Sequence, residues 1–345
     1  MLVRAKLWPW PPPDIRPRRA VLRVQTTDYH TAGEPFRIVT GGVAPLEGAT
    51  ILDKRRFALE RLDDVRKLLV HEPRGHADMY GCFVTEPNDE GADLGVVFFH
   101  NAGYSTACGH GTIALVTWAL ETGRLEAAGP ETRVVVDVPS GRLETVASIR
   151  DGRIERVRFT NVPAYVEARR LEAAGLAVDV AFGGAFYASV ESPLPVQKES
   201  VPRLIELGRE VKHELEAGQE FVHPLEPELR NIYGVIFFER MGTGPPLRQR
   251  NVTIFADGEV DRSPCGSGTS ARLAILDRDG ELPRGDELVH ESIVGTAFTA
   301  RVVSETEVAG RSAVVTEVTG SAHRTGEHEF VLDERDDLGT GFLLR

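Results

Sequence analysis

The sequence predicts an α/β fold of the α+β type, with two similar halves that each wrap a curved sheet around a central helix. The main observation is a repeat, because Cys-Gly-x-Gly-Thr occurs at residues 108–112 and again at residues 265–269. Each copy stands directly before a run with the apolar spacing of a helix. Short strand-like runs, separated by turn residues, fill most of the rest. A chain of 345 residues is long enough for two domains of ordinary size.

Composition and charge exclude several classes of protein. The chain is 41% hydrophobic and 27% charged, and its net charge of -12 argues against a nucleic-acid partner. No apolar run approaches the roughly 18 residues that span a bilayer, so the sequence predicts no membrane partner. The cysteine count of three is odd, which favours individual thiols over a disulfide framework.

Residues 1–20 are predicted to form a Pro-rich, irregular arm that contains Trp8 and Trp10. The arm lacks the apolar core and small-residue cleavage site of a signal peptide, so a cytoplasmic protein is expected.

The first predicted half covers residues 21–162 and is completed by the extreme C-terminal segment. Apolar residues at helical spacing predict one amphipathic helix over residues 51–70 and a second over residues 109–121, which Gly123 closes. A polar, turn-rich loop is predicted at residues 27–35, where it lines a site or forms a surface turn. The predicted strands are residues 21–24, 36–40, 94–99, 133–138, 142–149 and 153–160.

The second predicted half covers residues 163–345 and repeats the order of strand, loop, cysteine motif and helix. Helices are expected at residues 201–217 and at residues 269–279, where Gly280 stops the second one. The predicted strands are residues 178–182, 184–190, 232–239 and 251–255.

A cysteine at the start of a helix can act as a base or nucleophile, because the helix dipole and free N–H groups lower its pKa. The cysteines of the two motifs are Cys108 and Cys265. The glycines beside them allow backbone N–H groups to approach and bind a carboxylate. The amides expected to do so belong to Gly109, His110, Gly266 and Ser267.

Two facing cysteine turns would place one thiol on each side of the carbon next to a bound carboxylate. One thiolate could then remove the α-proton while the opposite thiol donates another, which inverts that centre. The sequence has no convincing lysine-centred pyridoxal phosphate signature, so no cofactor is predicted.

Three alternatives use the same residues. Cys108 and His110 could form a nucleophilic pair for acyl transfer, although side chains two positions apart on a turn seldom make the required hydrogen bond. Cys108, His110 and Cys265 could bind zinc, although paired close-spaced ligands are missing, and no metal site is predicted. The motifs could also belong to a non-enzymatic module that binds anions. Neither the nucleophilic pair nor the anion-binding module needs the second copy, and zinc would use only its cysteine.

Two other residues are expected to be structural. Cys82, between apolar neighbours, is predicted to be a core residue. His76 lies in a glycine-bounded turn and is expected to make surface or structural hydrogen bonds.

The chain resembles the proline racemase family, which contains proline racemases, 4-hydroxyproline 2-epimerases and trans-3-hydroxy-L-proline dehydratases. The segments that carry the resemblance follow the family order from about Val21 to the C-terminus. They are HTAGEP at residues 30–35, RGHADMYG at residues 74–81, GYSTACGHGT at residues 103–112, GGAF at residues 183–186 and DRSPCGSGT at residues 261–269.

The resemblance implies a diaminopimelate-epimerase-like fold with the active site in the cleft between the halves. It also implies that Cys108 and Cys265 are the acid and base, that His110 and Asp261 contact the substrate amine, and that no cofactor is used. The carboxylate would bind the amides named above. Tyr80 and Phe255 would form aromatic walls of the ring pocket.

Within this family, one residue decides which subgroup the sequence predicts. The surrounding sequence looks close to the 3-hydroxyproline dehydratases, which typically carry threonine where this chain has Cys265. Because inversion needs the second thiol, the sequence predicts a racemase or epimerase acting on proline or hydroxyproline, with the dehydratase as the alternative. A homodimeric assembly is compatible with the sequence.

Overall fold

The computed structural model describes residues 22–344, so the predicted arm at residues 1–20 lies outside the described residues. Within the described range the chain forms five α-helices and eighteen β-strands. None of the helices there is both long and apolar enough to cross a bilayer.

The first part of the chain contains three helices, α1 (Ile51–Arg61), α2 (Asp63–Val70) and α3 (Gly109–Glu121). Its strands are β1 (Leu22–Thr31), β2 (Glu34–Gly41), β3 (Tyr80–Thr85), β4 (Leu94–His100), β5 (Gly103–Tyr104), β6 (Glu131–Val138), β7 (Gly141–Arg150) and β8 (Arg153–Thr160).

The second part contains two helices, α4 (Val201–Gly218) and α5 (Gly266–Asp279). Its strands are β9 (Tyr165–Ala173), β10 (Leu176–Phe182), β11 (Phe186–Glu191), β12 (Ile232–Arg240), β13 (Leu247–Phe255), β14 (Glu259–Asp261), β15 (Leu288–Ser292), β16 (Ala297–Val308), β17 (Arg311–Gly320) and β18 (Ala322–Leu332).

The strand pairing repeats along the chain. In the first half the order is β18-β1-β2-β3-β4-β6-β7-β8, with parallel pairs β2–β3 and β4–β6 and antiparallel pairs elsewhere. The second half has the order β9-β10-β11-β12-β13-β15-β16-β17, with parallel pairs at the equivalent places, β11–β12 and β13–β15. The antiparallel pair β8–β17 joins the halves. The C-terminal strand β18 pairs with β1, as expected if it completes the first half, and the division of the chain into these domains stays a prediction.

Each half encloses one helix. Strands β1, β2, β7, β8 and β18 pack on α3, and strands β9, β10, β11, β16 and β17 pack on α5. Every residue of α3 from Gly109 to Ala119 is buried. Full burial of side chains such as Ile113 and Leu115 contributes about 1.5–3 kcal/mol each. The helix starts are therefore held rigidly by the surrounding sheet.

Two predictions of local structure are wrong. Residues 27–35 are not a loop, because β1 and β2 continue through them and meet at a two-residue turn of Ala32 and Gly33, both with positive φ. Residues 51–70 are not one helix, because the backbone at Leu62, with φ -123° and ψ 10°, leaves the helical conformation between α1 and α2.

Candidate active site

The starts of α3 and α5 touch each other between the two halves. A Cβ added to Gly266 would lie 2.7 Å from the Cα of Gly109, and one added to Gly109 would lie 2.6 Å from the Cα of Gly266. Only glycine permits such a close backbone approach at both positions. The first N–H groups of the two helices, which have no acceptor within their own helix, therefore lie side by side.

A narrow, nearly closed cavity of about 10 Å³ lies at this junction. All nine residues that the sequence analysis selected line it: Cys108, Cys265, Gly109, His110, Asp261, Gly266, Ser267, Tyr80 and Phe255. Four further residues complete the lining, namely Ala107, Tyr187, Tyr233 and Thr253.

Cys108 is the N-cap residue of α3 and is only 5% exposed. Its Sγ accepts the backbone N–H of Gly111 at 3.2 Å. The same Sγ lies 3.4 Å from Nε2 and 3.6 Å from Nδ1 of His110. The two side chains therefore come close, although side chains two positions apart on a turn seldom make the hydrogen bond that acyl transfer requires. Because the sulfur is almost equidistant from both ring nitrogens, neither is singled out as the base of a Cys–His pair.

Cys265 is the N-cap residue of α5 and is only 6% exposed. Its φ of 63° lies in the left-handed region, which is rare for a residue with a side chain and recurs at functional sites. Its thiol donates to Oη of Tyr187 at 3.7 Å, and that hydroxyl lies 2.7 Å from Oγ of Ser267. Each cysteine thus has its own polar neighbour, His110 for Cys108 and Tyr187 for Cys265.

Burial raises the pKa of both thiols instead of lowering it. Removal from water is the largest effect at Cys108 and at Cys265, and the N–H groups of Gly111 and Gly268 oppose it only in part. The prediction of a lowered thiol pKa is therefore wrong. The helix dipole is present, but it acts on a sulfur with little contact to water.

His110 and Asp261 face the same cavity and are ionised differently. Burial lowers the pKa of His110 to about 3, so its imidazole is neutral near neutral pH. Burial also raises the pKa of Asp261 to about 6, although Ser263 opposes this by donating its N–H to Oδ1 at 2.7 Å. A neutral imidazole and a carboxylate can both accept hydrogen bonds from an ammonium group.

Glu34 supports the segment that carries Asp261. It is fully buried, and its Oε2 accepts the N–H of Arg262 at 2.7 Å. Burial and the nearby Asp261 raise the pKa of Glu34 well above its usual value. Glu34 was not predicted as a site residue, although it lies in the polar stretch at residues 27–35, which was interpreted as a loop that lines a site or forms a surface turn.

Aromatic rings form one wall of the cavity. Phe255 stacks on Tyr233 with 5.6 Å between ring centroids, and Tyr80 lies 5.8 Å from Phe255. Tyr80 also meets His110 edge to face at 4.9 Å. Tyr233 was missed, and its signal was the dipeptide Tyr-Gly, which starts β3 and recurs near the start of β12.

The residues expected to be structural lie away from the cavity lining. Cys82 is fully buried in the core beneath α3, and burial raises its pKa well above the usual value. His76 places its Nδ1 2.8 Å from the carbonyl oxygen of Ala77. Within residues 22–344, no three His, Cys, Asp or Glu side chains are grouped as metal ligands would be.

Comparisons with known proteins show the family to which the chain is similar. The sequence model of the family described as proline racemase matches residues 26–343. A trans-3-hydroxy-L-proline dehydratase of Bacillus cereus is 46% identical over 335 residues, which cover 94% of this chain and 99% of that protein. A 3-hydroxyproline 2-epimerase of Burkholderia multivorans is 47% identical over 330 residues, which cover 93% and 98%.

A solved structure is also similar over nearly the whole chain. It is a hydroxyproline epimerase from Agrobacterium vitis with bound trans-4-hydroxy-L-proline, and it is 34% identical with a TM-score of 0.85. The match covers 94% of this chain and 96% of that one. The predicted fold class is therefore confirmed.

Proposed function

Because the chain belongs to the proline racemase family, we propose that it is a cofactor-independent racemase or epimerase that inverts the α-carbon of proline or hydroxyproline. The observation that carries the proposal is the placement of Cys108 and Cys265. They come from opposite halves, each caps the start of a central helix, and both line one small cavity. Two proton-transfer groups on either side of one carbon are what inversion requires.

The substrate carboxylate would bind the N–H groups at the paired helix starts. Those amides belong to Gly109, His110, Gly266 and Ser267, which all border the cavity. Two helix dipoles then favour the same negative charge. The substrate amine would lie between the neutral His110 and the carboxylate of Asp261.

One thiolate would remove the α-proton while the opposite thiol donates its proton to the other face. A raised pKa suits the donor, because the thiol must hold its proton until the carbanion forms. The base must ionise within the complex, where the positive substrate amine stabilises a nearby thiolate. In the reverse direction the two sulfurs exchange roles.

The second candidate is dehydration of trans-3-hydroxy-L-proline to Δ1-pyrroline-2-carboxylate. It is supported by the 46% identity to a protein that bears this name. Dehydration needs one base at the α-carbon and loss of the β-hydroxyl, so it does not need both thiols. Cys265 is therefore the residue that favours inversion over dehydration here.

One assay distinguishes the candidates. The protein is incubated separately with L-proline, trans-4-hydroxy-L-proline and trans-3-hydroxy-L-proline in D₂O. Inversion should change optical rotation and place deuterium at Cα, because the incoming proton comes from a thiol that exchanges with solvent. Formation of Δ1-pyrroline-2-carboxylate from the 3-hydroxy isomer, with no inversion of the other two, would instead establish the dehydratase. If all three substrates are inert while pyrrole-2-carboxylate still protects the thiols from iodoacetamide, the non-enzymatic binding module is the better description.

The affinity for the imino acid is expected to fall as the pH drops through about 6, because burial raises the pKa of Asp261 to about 6. Above that pH the carboxylate pairs with the substrate amine, and below it the amine meets a neutral carboxyl group. His110 does not titrate in this range, since its pKa is about 3. The dissociation constant should be measured by calorimetry across the acidic and neutral range. Asp261→Asn should bind the imino acid weakly at every pH. If this variant still loses affinity as the pH drops through about 6, a group other than Asp261 causes the loss.

A further inference from the structure

Three hydroxyl groups form a row on the aromatic side of the cavity. The hydroxyl of Tyr80 donates to Oγ of Ser105, and it lies 2.9 Å from the hydroxyl of Tyr233. Tyr80 and Ser105 are each 2% exposed, whereas Tyr233 is only partly buried and lines the cavity. Since Tyr80 is on β3 and Tyr233 is on β12, the row crosses from one half to the other.

The Tyr233 hydroxyl, at the end of the row, keeps one hydrogen-bonding position that the row does not use. A tyrosine hydroxyl has one hydrogen to donate and lone pairs to accept. If Tyr80 donates to Ser105, Tyr233 must donate to Tyr80, and the oxygen of Tyr233 keeps a free lone pair. If the direction is reversed, Tyr233 keeps its own hydrogen. Within the described residues its hydroxyl has no second hydrogen-bond partner.

The ring of Tyr233 is held in place by its neighbours. It stacks on Phe255 with an interplanar angle of 26°, and Tyr187 meets it edge to face at 5.8 Å and 83°. Burial raises the pKa of Tyr80 and of Tyr233 well above the usual value, so both hydroxyls stay protonated. The wall thus combines apolar ring faces with a Tyr233 hydroxyl whose position is fixed.

We infer that Tyr233 binds the ring hydroxyl of the substrate and so selects a hydroxylated imino acid over proline. This inference rests on the proposed function and names the substrate class of the same site. Inversion at the α-carbon involves the thiols, the amides and the groups that hold the amine, and it leaves the Tyr233 hydroxyl unused. A ring hydroxyl can either donate to Tyr233 or accept from it, so both directions of the row accommodate it. Proline has no ring hydroxyl to occupy this position, so its complex lacks one hydrogen bond that a hydroxylated ring can make.

The test compares the affinities of L-proline, trans-3-hydroxy-L-proline and trans-4-hydroxy-L-proline in the wild type and in Tyr233→Phe. Calorimetry of the whole chain gives each dissociation constant without relying on turnover. The wild type should bind one hydroxylated isomer about tenfold or more tightly than proline. Tyr233→Phe should remove that preference while its affinity for proline stays unchanged.

Tyr165→Phe is the matched control. Tyr165 is 1% exposed and stacks on Phe182 at 5.3 Å, and it does not line the cavity. This variant should keep the wild-type preference, which separates loss of the Tyr233 hydroxyl from loss of any buried hydroxyl.

Each other outcome has a defined meaning. A wild type without preference for a hydroxylated isomer, or a Tyr233→Phe variant that retains the preference, would overturn the inference. Equal loss of affinity for proline and hydroxyproline in Tyr233→Phe would also overturn it. The row of hydroxyl groups would then be a structural contact between the halves. If the wild type binds none of the three imino acids, the proposed function fails first and the inference falls with it.

Discussion

Serine in place of either Cys108 or Cys265 is expected to abolish inversion of the α-carbon. A serine hydroxyl stays protonated near neutral pH and cannot serve as the base, and each direction of inversion uses a different sulfur as base. The loss of kcat should reach at least the ~10²–10⁴-fold range of general acid–base catalysis. Polarimetry measures inversion, and NMR detection of deuterium at Cα measures proton abstraction alone.

The two readouts separate the roles of the thiols. A variant that keeps one base should still exchange the α-proton of one enantiomer with solvent without inverting it. With trans-3-hydroxy-L-proline, Cys265→Ser retains the thiol of Cys108, so any dehydration should survive while inversion disappears. Serine is preferable to threonine in this experiment because it replaces only the sulfur of Cys265 and adds no methyl group.

Cys82→Ser is the control for general effects of thiol loss. Cys82 is fully buried on β3 but does not line the cavity, so its replacement should lower the thermal stability and leave the kinetics of the folded fraction unchanged. Near-normal inversion by Cys108→Ser or Cys265→Ser would contradict the two-base mechanism.

The repeat in the sequence carried most of what could be predicted about the site. Helix α3 begins and ends where its motif and Gly123 predicted, and α5 begins only three residues earlier than expected. A glycine-rich turn before a helix is a local feature of the sequence, so it can be recognised without knowledge of the tertiary structure. For the same reason the site residues predicted from the two motifs lie together at the cavity.

The errors about the loop and about the thiol pKa have a common physical cause. A single sequence does not show which polar groups are buried. Thr27 and Asp28 suggested a loop, yet they lie buried in β1, where Asp28 pairs with Arg37 at 2.7 Å. The thiols were assigned a lowered pKa from the helix dipole alone, whereas removal from water dominates. Both errors treat polar groups as if they were in contact with solvent.

Tyr187 and Tyr233 were missed because long-range pairing places them. They lie on β11 and β12, whose parallel pairing brings residues 187 and 234 into register. Parallel neighbours are far apart in sequence and have no local turn to identify them. Comparison of the two halves would have found Tyr233, since its Tyr-Gly pair repeats that of Tyr80, but the repeat of two residues is too short to stand out alone.

Alanine in place of Gly266 is expected to disable the site while leaving both thiols in the sequence. The added Cβ would lie 2.7 Å from the Cα of Gly109, so the backbones of α3 and α5 must separate at their starts. Overpacking of this kind costs about 1–3 kcal/mol of stability. The larger effect falls on the reaction, because a shift near 1 Å in the groups that orient a substrate lowers the rate about 10²-fold.

The paired amides are what the separation would damage, so binding of pyrrole-2-carboxylate should weaken together with kcat/KM. Gly218→Ala is the matched control, since Gly218 ends α4 and a Cβ there meets no atom within 4 Å. It should leave ligand binding and activity at wild-type values. If Gly266→Ala folds, binds pyrrole-2-carboxylate normally and inverts its substrate at the normal rate, the contact between the helix starts does not position the carboxylate. In that event the amides of Gly109, His110, Gly266 and Ser267 would have to be replaced as the proposed binding site.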